Sequence, residues 1–455
     1  MMKNDWVERV YTLETRISKE DAEYFRQFSP EFAKMCRRIW QDLKHGVKTD
    51  AKYVTTLCHK YEFMKRTVNS ALRYMKGRMS ALKELQKVQI HDIRSKVASL
   101  ENKINDLSAD ITTLKAKVKA YPNDKDLLIK YKNKKAKLYS LQCKKNRYLM
   151  KIRNYEDDTV DTLDLCFGSK KFFNKQYNPE DNGYKTHEKW LNAFRKTRDR
   201  QIYYVGSNDE TCGNQQFQLT YNSGTGRYYS QIRKENAYCL DKDDKYLFIE
   251  IDFKYKSDLL MQMLKEHAAM SYTVTCKNGK WYIDVSFRCM CHIETNEKNG
   301  CVGLDFNNGF IAVTETDGYG NIVNVNDILL KYHGTGNKAK SEMSEVISKI
   351  VKYTHSKGKA LCIEDLKFSK RKSICIRRGK KQYNQMLHLL DYSRYKQFCE
   401  DYCKDKGVKL IEVNPAYTSQ IGKQKYSYKK KLTVHDSAAY VIARKGQGYA
   451  DKLAA

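Results

Sequence analysis

The apolar run from Cys301 to Phe306 is the feature that most constrains how this chain can fold. Its composition is typical of a buried strand, and the Asn-Asn-Gly sequence that follows it is typical of a turn. One carboxylate, Asp305, lies inside the run without a local counter-charge. Because burial of an ionised carboxylate is costly unless it is paired or binds a metal, Asp305 requires a cationic partner or a cation.

The charge balance predicts a polyanionic partner. The 455 residues include 85 Lys and Arg against 54 Asp and Glu, a net charge of +31, together with 34 tyrosines. Lys and Arg neutralise phosphates, and aromatic rings stack on exposed bases. The alternative is a basic protein that is merely soluble. At roughly 100–200 residues per domain, the length predicts about two to four domains.

Membrane insertion and secretion are not predicted, since the sequence has neither an apolar run of about 20 residues nor a signal-peptide pattern. The 14 cysteines are scattered, and in an intracellular protein we expect reduced thiols. The Cys289-Met290-Cys291-His292 segment offers candidate metal ligands. Its spacing is wrong for a zinc ribbon, so the sequence favours buried thiols there.

The sequence of the first two thirds of the chain predicts helices followed by strands. Residues 1–15 contain a short strand, and residues 16–200 form a helical lobe. Apolar residues from Ile93 to Val118 recur in steps of four and three, which predicts a coiled-coil hairpin over residues 77–155 with a break at Tyr121 to Asp124. Strands separated by turns then predict a β-rich module at 201–298, a barrel-like domain that the N-terminal strand completes.

Two basic segments of this region are candidate nucleic-acid contacts. The returning arm of the hairpin is rich in lysine, and it is either a contact surface or a solvated face. The segment from Cys166 to Phe173 mixes lysines with aromatic residues, so it either stacks on bases or is a loop with a small core. The candidate contacts are Lys130, Lys134, Lys137, Lys144, Arg147, Lys170 and Lys171.

The last third predicts an RNase H-like α/β domain over residues 299–455, in a chain that is multidomain α+β overall. Three strands in hairpins are followed by alternating helices and strands, which is the order of such a domain. Asp305, Glu364 and Asp436 come from separate elements that this sheet would bring together at one edge. The predicted elements are strands 301–306, 310–316, 322–326, 360–366 and 408–413 and helices 341–357, 382–406 and 434–445.

Three short motifs carry a family resemblance. Gly303-Leu304-Asp305, Ile363-Glu364-Asp365-Leu366 and Asp436-Ser437-Ala438-Ala439 resemble the RuvC motifs of TnpB nucleases, which transposons encode, and of their descendants, the compact type V CRISPR effectors. The preceding order of strand, helical recognition lobe and β-rich wedge domain is similar too.

The resemblance implies that Asp305, Glu364 and Asp436 are the catalytic acids of an RNA-guided DNA endonuclease. They would hold two Mg²⁺ ions, with Mn²⁺ as an alternative, for phosphodiester hydrolysis. A guide RNA would pair with the target DNA, and the protein would recognise a short flanking motif. The resemblance also implies a cytoplasmic, nucleoid-associated prokaryotic protein without a membrane partner, as a monomer or homodimer.

One departure from the family lies between the second and third motifs, where members usually carry a four-cysteine zinc ribbon. This chain keeps the segment Asn414 to Gln420 but continues into a basic loop, residues 423–431, without cysteine. We therefore expect no structural zinc. That loop and the basic segments after Glu364 either contact nucleic acid or are solvated. Their candidate contacts are Lys370, Arg371, Lys372, Arg377, Arg378, Lys423, Lys429 and Lys430.

Other interpretations are open for the acids and for the activity. Each acid taken alone could be an edge or cap residue, a common role of Asp at a helix N-terminus. The chain could be a guide-directed DNA-binding protein without cleavage, although the presence of all three acids argues against this. It could also be a DNA-strand transferase on the same fold, against which the guide-binding arrangement argues.

Overall fold

The computed structural model describes residues 6–156, 165–210, 213–332, 336–365 and 392–453. The chain divides into two compact units, one of Val10–Cys289 and the other of Met1–Arg9 with Met290–Ala455. Both contain helices and strands, so the predicted mixture of helix and sheet is confirmed. In the described ranges, no helix has both the length and the apolar composition needed to cross a membrane.

Long helices dominate the first half of the unit Val10–Cys289. They are α1 (Glu23–Lys44), α2 (Ala51–Tyr61), α3 (Lys65–Ala120) and α4 (Lys125–Glu156). Helices α3 and α4 pack against each other, and Ile93 and Val97 of α3 are buried with Ile152 of α4. The chain reverses direction between the two helices at residues 121–124, where the periodicity predicts the break.

The strands of this region form two sheets rather than one closed barrel. One has the order β1-β7-β6-β2, and the other β3-β4-β5. The N-terminal strand β1 lies next to β7 in the first of these sheets. Strand pairing is a tertiary property that the local sequence pattern does not encode. The strands are β1 (Trp6–Arg16), β2 (Gln201–Tyr204), β3 (Phe217–Asn222), β4 (Arg227–Arg233), β5 (Tyr246–Ile251), β6 (Met270–Lys277) and β7 (Lys280–His292).

Short helices connect these strands and follow the long hairpin. They are α5 (Lys170–Phe173), α6 (His187–Arg198) and α7 (Ser257–Lys265), with 3₁₀ turns at Asn174–Tyr177, Glu180–Asn182 and Asn236–Tyr238. The predicted β6–β7 hairpin is confirmed. Its turn residues Asn278 and Gly279 both have positive φ, as a two-residue hairpin turn of this kind requires.

The second unit is built on a five-stranded sheet, in the described ranges, with the order β10-β9-β8-β11-β12. Strands β8, β9 and β10 are antiparallel, whereas β11 runs parallel to both β8 and β12. The strands are β8 (Asn296–Asn307), β9 (Phe310–Thr316), β10 (Ile322–Leu329), β11 (Lys359–Glu364) and β12 (Leu410–Val413).

The helices of this unit include the three predicted ones in their predicted order and one short helix, Thr418–Gly422, that was not predicted. They are α8 (Asn337–Ser356), α9 (Tyr392–Lys406), α10 (Thr418–Gly422) with a π-helical turn at Lys423–Ser427, and α11 (Val434–Gly446). Residues 382–391 of the helix predicted at 382–406 lie outside the described residues. The other predicted elements agree with the structure apart from shifts at their ends.

The two faces of the sheet carry different side chains. Val302 and Leu304 of β8 pack with the core of α8 and α9, whereas Cys301 packs with Ile442 and Ala443 of α11. Side chains alternate along a strand, so every second residue of β8 and β11 faces α11. Asp305 and Glu364 therefore belong to the face that α11 covers.

A buried ion pair joins the opposite face of the sheet to α8. The Lys359 ammonium lies 2.5 Å from Glu315 and donates to the carbonyl of Thr316 at 2.7 Å, and the Tyr353 hydroxyl also donates to Glu315. Burial acts to raise the pKa of Glu315, but the hydrogen bonds from Lys359 and Tyr353 outweigh it, and the pKa lies below its ordinary value.

Because this pKa is lower in the folded state than in the unfolded state, the stabilisation is present above the unfolded value of about 4.3 and is lost as the pH falls through the folded value. We expect Glu315→Gln to destabilise the protein by about 3 kcal/mol at neutral pH, with the difference shrinking below about pH 4. Denaturant unfolding across this range measures the effect. The exposed Glu345 of α8, which pairs with Lys349, provides a matched Gln substitution that should leave the stability close to that of wild type. A pH-independent deficit in Glu315→Gln would contradict this account.

Candidate active site

Asp305 and Glu364 lie side by side at the carboxyl ends of adjacent parallel strands. Cys362 of β11 pairs with Gly303 of β8, and each acid follows two residues later on its own strand. Neighbouring strands are about 4.8 Å apart, and both side chains point to the face covered by α11. The sequence predicts that Asp305 and Glu364 lie close together at one edge of the sheet, and the register of β8 and β11 places their backbones next to each other there.

Asp436 lies in the first turn of α11, over the same face. It forms a capping box with Thr433, whose backbone N–H donates to Oδ2 of Asp436 at 3.2 Å. Thr433 is thus the N-cap, and Asp436 contributes to the cap from the N3 position through Oδ2, which differs from the interpretation of Asp436 itself as the N-cap. Its Oδ1 has no hydrogen-bond partner even though it is buried, and the residue as a whole is only 7% exposed. Such an oxygen is costly unless a proton or a cation reaches it.

Asp305 has a histidine partner within the unit. Its Oδ2 lies 3.1 Å from Nδ1 of His435 and accepts from the Asn307 amide at 3.0 Å. The hydrogen bond to Asp305 raises the pKa of His435 above its ordinary value, burial opposes this, and the nearby Asp327 and Asp436 add to it. The His435 ring also packs edge to face on Phe310, at 5.1 Å between centroids.

Glu364 is held by residues of two further helices. It is 9% exposed, and the Thr418 hydroxyl of α10 donates to its Oε1. The Tyr392 hydroxyl of α9 donates to its backbone carbonyl. Thr418 belongs to the segment Asn414 to Gln420 that precedes the basic loop, so this segment positions the second acid.

The basic loop after that segment is anchored to α11 and the C-terminal residues. The Tyr426 hydroxyl donates to Asp451 at 2.8 Å, and the Tyr426 ring packs edge to face on Tyr440 at 4.8 Å. Gly422 lies close to the backbone of Ser437, where a Cβ would come within 2.7 Å of the carbonyl. Aromatic packing and close backbone contact thus fix the loop to α11.

The donor set fits Mg²⁺ in its chemistry. Three carboxylates are hard oxygen ligands, and Oδ1 of Asp436 is a buried acceptor without a donor. Across the ranges that the structure describes, however, no three His, Cys, Asp or Glu side chains lie close enough together to hold a metal. His435, Thr418 and Thr433 each bond one of the three acids. A shared cation therefore requires these side chains to move closer together, with Asp305 turning away from His435.

The predicted nucleic-acid contacts have different surroundings. Most of those on α4 are exposed, but Lys134 pairs with Asp110 of α3 at 2.7 Å and so also holds the hairpin together. Lys170 and Lys171 are exposed, while Phe172 packs on Phe194 in a small aromatic core. The small-core interpretation of this segment is therefore observed for Phe172. Lys423, Lys429 and Lys430 are exposed, and Lys370, Arg371, Lys372, Arg377 and Arg378 lie outside the described residues.

Sequence reasoning missed several residues around the acids. His435 directly precedes Asp436, so its position next to the third motif was an available signal. Thr418 lies in the segment Asn414 to Gln420, which the resemblance had already singled out. Tyr392 carries no such signal, because its contact with Glu364 arises only when α9 packs on the sheet. Asp327 was missed because the predicted strand 322–326 stops one residue before it, whereas β10 continues to Leu329.

Several solved structures are similar to this chain, all with low TM-scores. The Cas12f1–sgRNA–target DNA complex is similar with a TM-score of 0.37 and 10% identity, over 97% of this chain and 99% of that chain. RuvC of T. thermophilus in complex with a Holliday junction substrate has a TM-score of 0.23 and 13% identity, over 31% and 89%. The Cas12i1–crRNA binary complex has a TM-score of 0.25 and 9% identity, over 87% and 50%.

Neither a protein-family model nor a curated protein matches the chain. At such low TM-scores the likenesses do not establish a shared activity, and the functional argument rests on the residues of the site.

Proposed function

We propose that this chain is an RNA-guided DNA endonuclease that hydrolyses phosphodiester bonds at Asp305, Glu364 and Asp436. The observation that carries the proposal is the strand register that sets Asp305 beside Glu364, on the face where α11 brings Asp436. The buried, unpartnered Oδ1 of Asp436 supports it. The order β10-β9-β8-β11-β12 supports an RNase H-like domain at residues 299–455.

The acids would hold divalent cations, preferably Mg²⁺, whose chemistry is to activate water and to stabilise the leaving oxygen. The chain's own residues position the ligands: Thr418 bonds Glu364, and the capping box with Thr433 fixes the Oδ2 side of Asp436. His435 forms a hydrogen bond with Oδ2 of Asp305 and would give it up when Asp305 turns towards a cation.

The nucleic-acid partners follow from charge and from the resemblance to TnpB-like nucleases. A net charge of +31 and the exposed lysines of α4 support binding to a guide RNA and to its target DNA. In such a system base pairing would carry the sequence information, while the protein would recognise a short flanking motif. Residues 16–200 would form the recognition lobe, and residues 1–15 and 201–298 the wedge domain.

The proposal is tested by purifying the chain with RNA co-expressed from its own locus. Duplex DNA that matches the guide, with randomised flanking sequence, is then incubated with Mg²⁺ or with EDTA. We expect cutting of matched DNA with Mg²⁺ only. Binding of matched DNA without cutting would instead identify a guide-directed binding protein, and joining of DNA strands would identify a transferase. Either result would contradict the endonuclease proposal.

A further inference from the structure

A fourth carboxylate lies in the same row of the sheet as Asp305. Asp327 of β10 pairs with Ala312 of β9, and Ala312 pairs with Asp305 of β8. Directly paired residues point to the same face, so Asp327 and Asp305 both point to the face that α11 covers. Two strand spacings separate their backbones, about 10 Å. The antiparallel register of β8, β9 and β10 thus places Asp327 on the same face of the sheet as the candidate site.

Asp327 also faces Asp436, the acid that α11 contributes. Partial burial raises the pKa of Asp327 although the residue is largely exposed, the charge of Asp436 and a hydrogen bond between the two carboxyl groups raise it further, and Asp305 adds a smaller effect in the same direction. His435 opposes these effects. Two ionised carboxylates that face each other repel, because neither carries a proton that could form a hydrogen bond between them. A positive charge between the two side chains would offset this repulsion.

The second observation is independent of Asp327. Oδ1 of Asp436 is buried without a hydrogen-bond partner, because the capping box engages only Oδ2. Thr314 of β9 donates to the backbone carbonyl of Asp436 at 3.0 Å and fixes this turn of α11 against the sheet. A buried acceptor on a fixed backbone, facing another acid, is an arrangement that a hard cation would satisfy.

We propose that Asp327 is a fourth carboxylate of the divalent-cation site and shares a cation with Oδ1 of Asp436. This inference rests on the proposed function and extends it, since the three sequence motifs do not include Asp327. The side chain is exposed on the edge strand β10, so it can turn towards a cation without disturbing the core.

The test uses the full chain and Mn²⁺ alone, with binding measured by isothermal titration calorimetry. Asp327→Asn is expected to weaken Mn²⁺ binding roughly 10–100-fold. In the absence of cations the same variant is expected to melt at a higher temperature than wild type, because the repulsion from Asp436 is gone and the Asn amide can donate to Oδ1. A purely structural role of Asp327 would lower the melting temperature instead.

Two further variants separate the outcomes. Glu345→Gln removes an exposed acid of the same unit that pairs with Lys349, and it should bind Mn²⁺ as wild type does. Asp305→Asn should lose Mn²⁺ binding if the proposed function is correct. If Asp327→Asn binds Mn²⁺ as wild type while Asp305→Asn does not, the role of Asp327 is overturned and the proposed function stands. If wild type binds no Mn²⁺, the cation site of the proposed function fails as well.

Discussion

Asp305→Ala is expected to abolish Mg²⁺-dependent cutting of guide-matched DNA while leaving binding of that DNA intact. The substitution removes the carboxylate at the end of β8 that lies beside Glu364, and with it a ligand of the proposed cations. A bound cation contributes several kcal/mol of transition-state stabilisation, so the rate should fall at least roughly 10³-fold. Single-turnover cleavage with Mg²⁺ and gel-shift binding with EDTA measure the two effects separately.

Asp365→Asn is a matched control for this prediction. Asp365 follows Glu364 in the sequence, but its carboxylate lies 3.8 Å from Lys396 of α9. Removing its charge should leave the cutting rate within about tenfold of wild type, since an exposed or half-exposed ion pair contributes little. The account is contradicted if Asp305→Ala cuts at the wild-type rate, or if Asp365→Asn is equally inactive.

Gly303→Ala is expected to destabilise the unit that contains the site and to displace Asp436 from Asp305. A Cβ at Gly303 would lie 2.1 Å from the carbonyl oxygen of Ala439 and 2.6 Å from the backbone nitrogen of Ala443. These are backbone atoms of α11, so the helix itself must move. Overpacking of this kind costs about 3 kcal/mol, which lowers the melting temperature by roughly 6–12 °C.

Thermal unfolding and cutting rate together check this second prediction. Gly77→Ala makes the same change inside helix α3, where a Cβ meets nothing within 4 Å. That control should raise stability by about 0.5–1 kcal/mol, because alanine favours a helix interior. A Gly303→Ala protein as stable and as active as wild type would show that α11 does not need its close approach to β8.

The sequence predicts the second unit well because its signals are local. Strand β9 is observed at the predicted residues 310–316, where a run of consecutive apolar residues and flanking turn residues define it. Asp305 was predicted as a buried charge that needs compensation, and the structure places it among polar partners at a strand end. Gly303, a glycine within an apolar strand, was itself a signal of close backbone approach.

Other features depend on contacts between distant segments. The split of the β-rich region into two sheets follows from which strands pair, and strand β4 was missed because Ser230 and Gln231 interrupt its apolar pattern. The alignment of Asp327 with Asp305 requires the register of three strands. His435 and Thr418 reach their acids only after α10 and α11 pack on the sheet.

The central claim is that Asp305, Glu364 and Asp436 share a divalent cation, and an anomalous difference map from crystals grown with saturating Mn²⁺ tests it most directly. We predict a peak in contact with carboxylate oxygens of all three residues, with Asp305 turned away from His435. A map without a peak there, in which Asp305 keeps its hydrogen bond to His435, would contradict the claim.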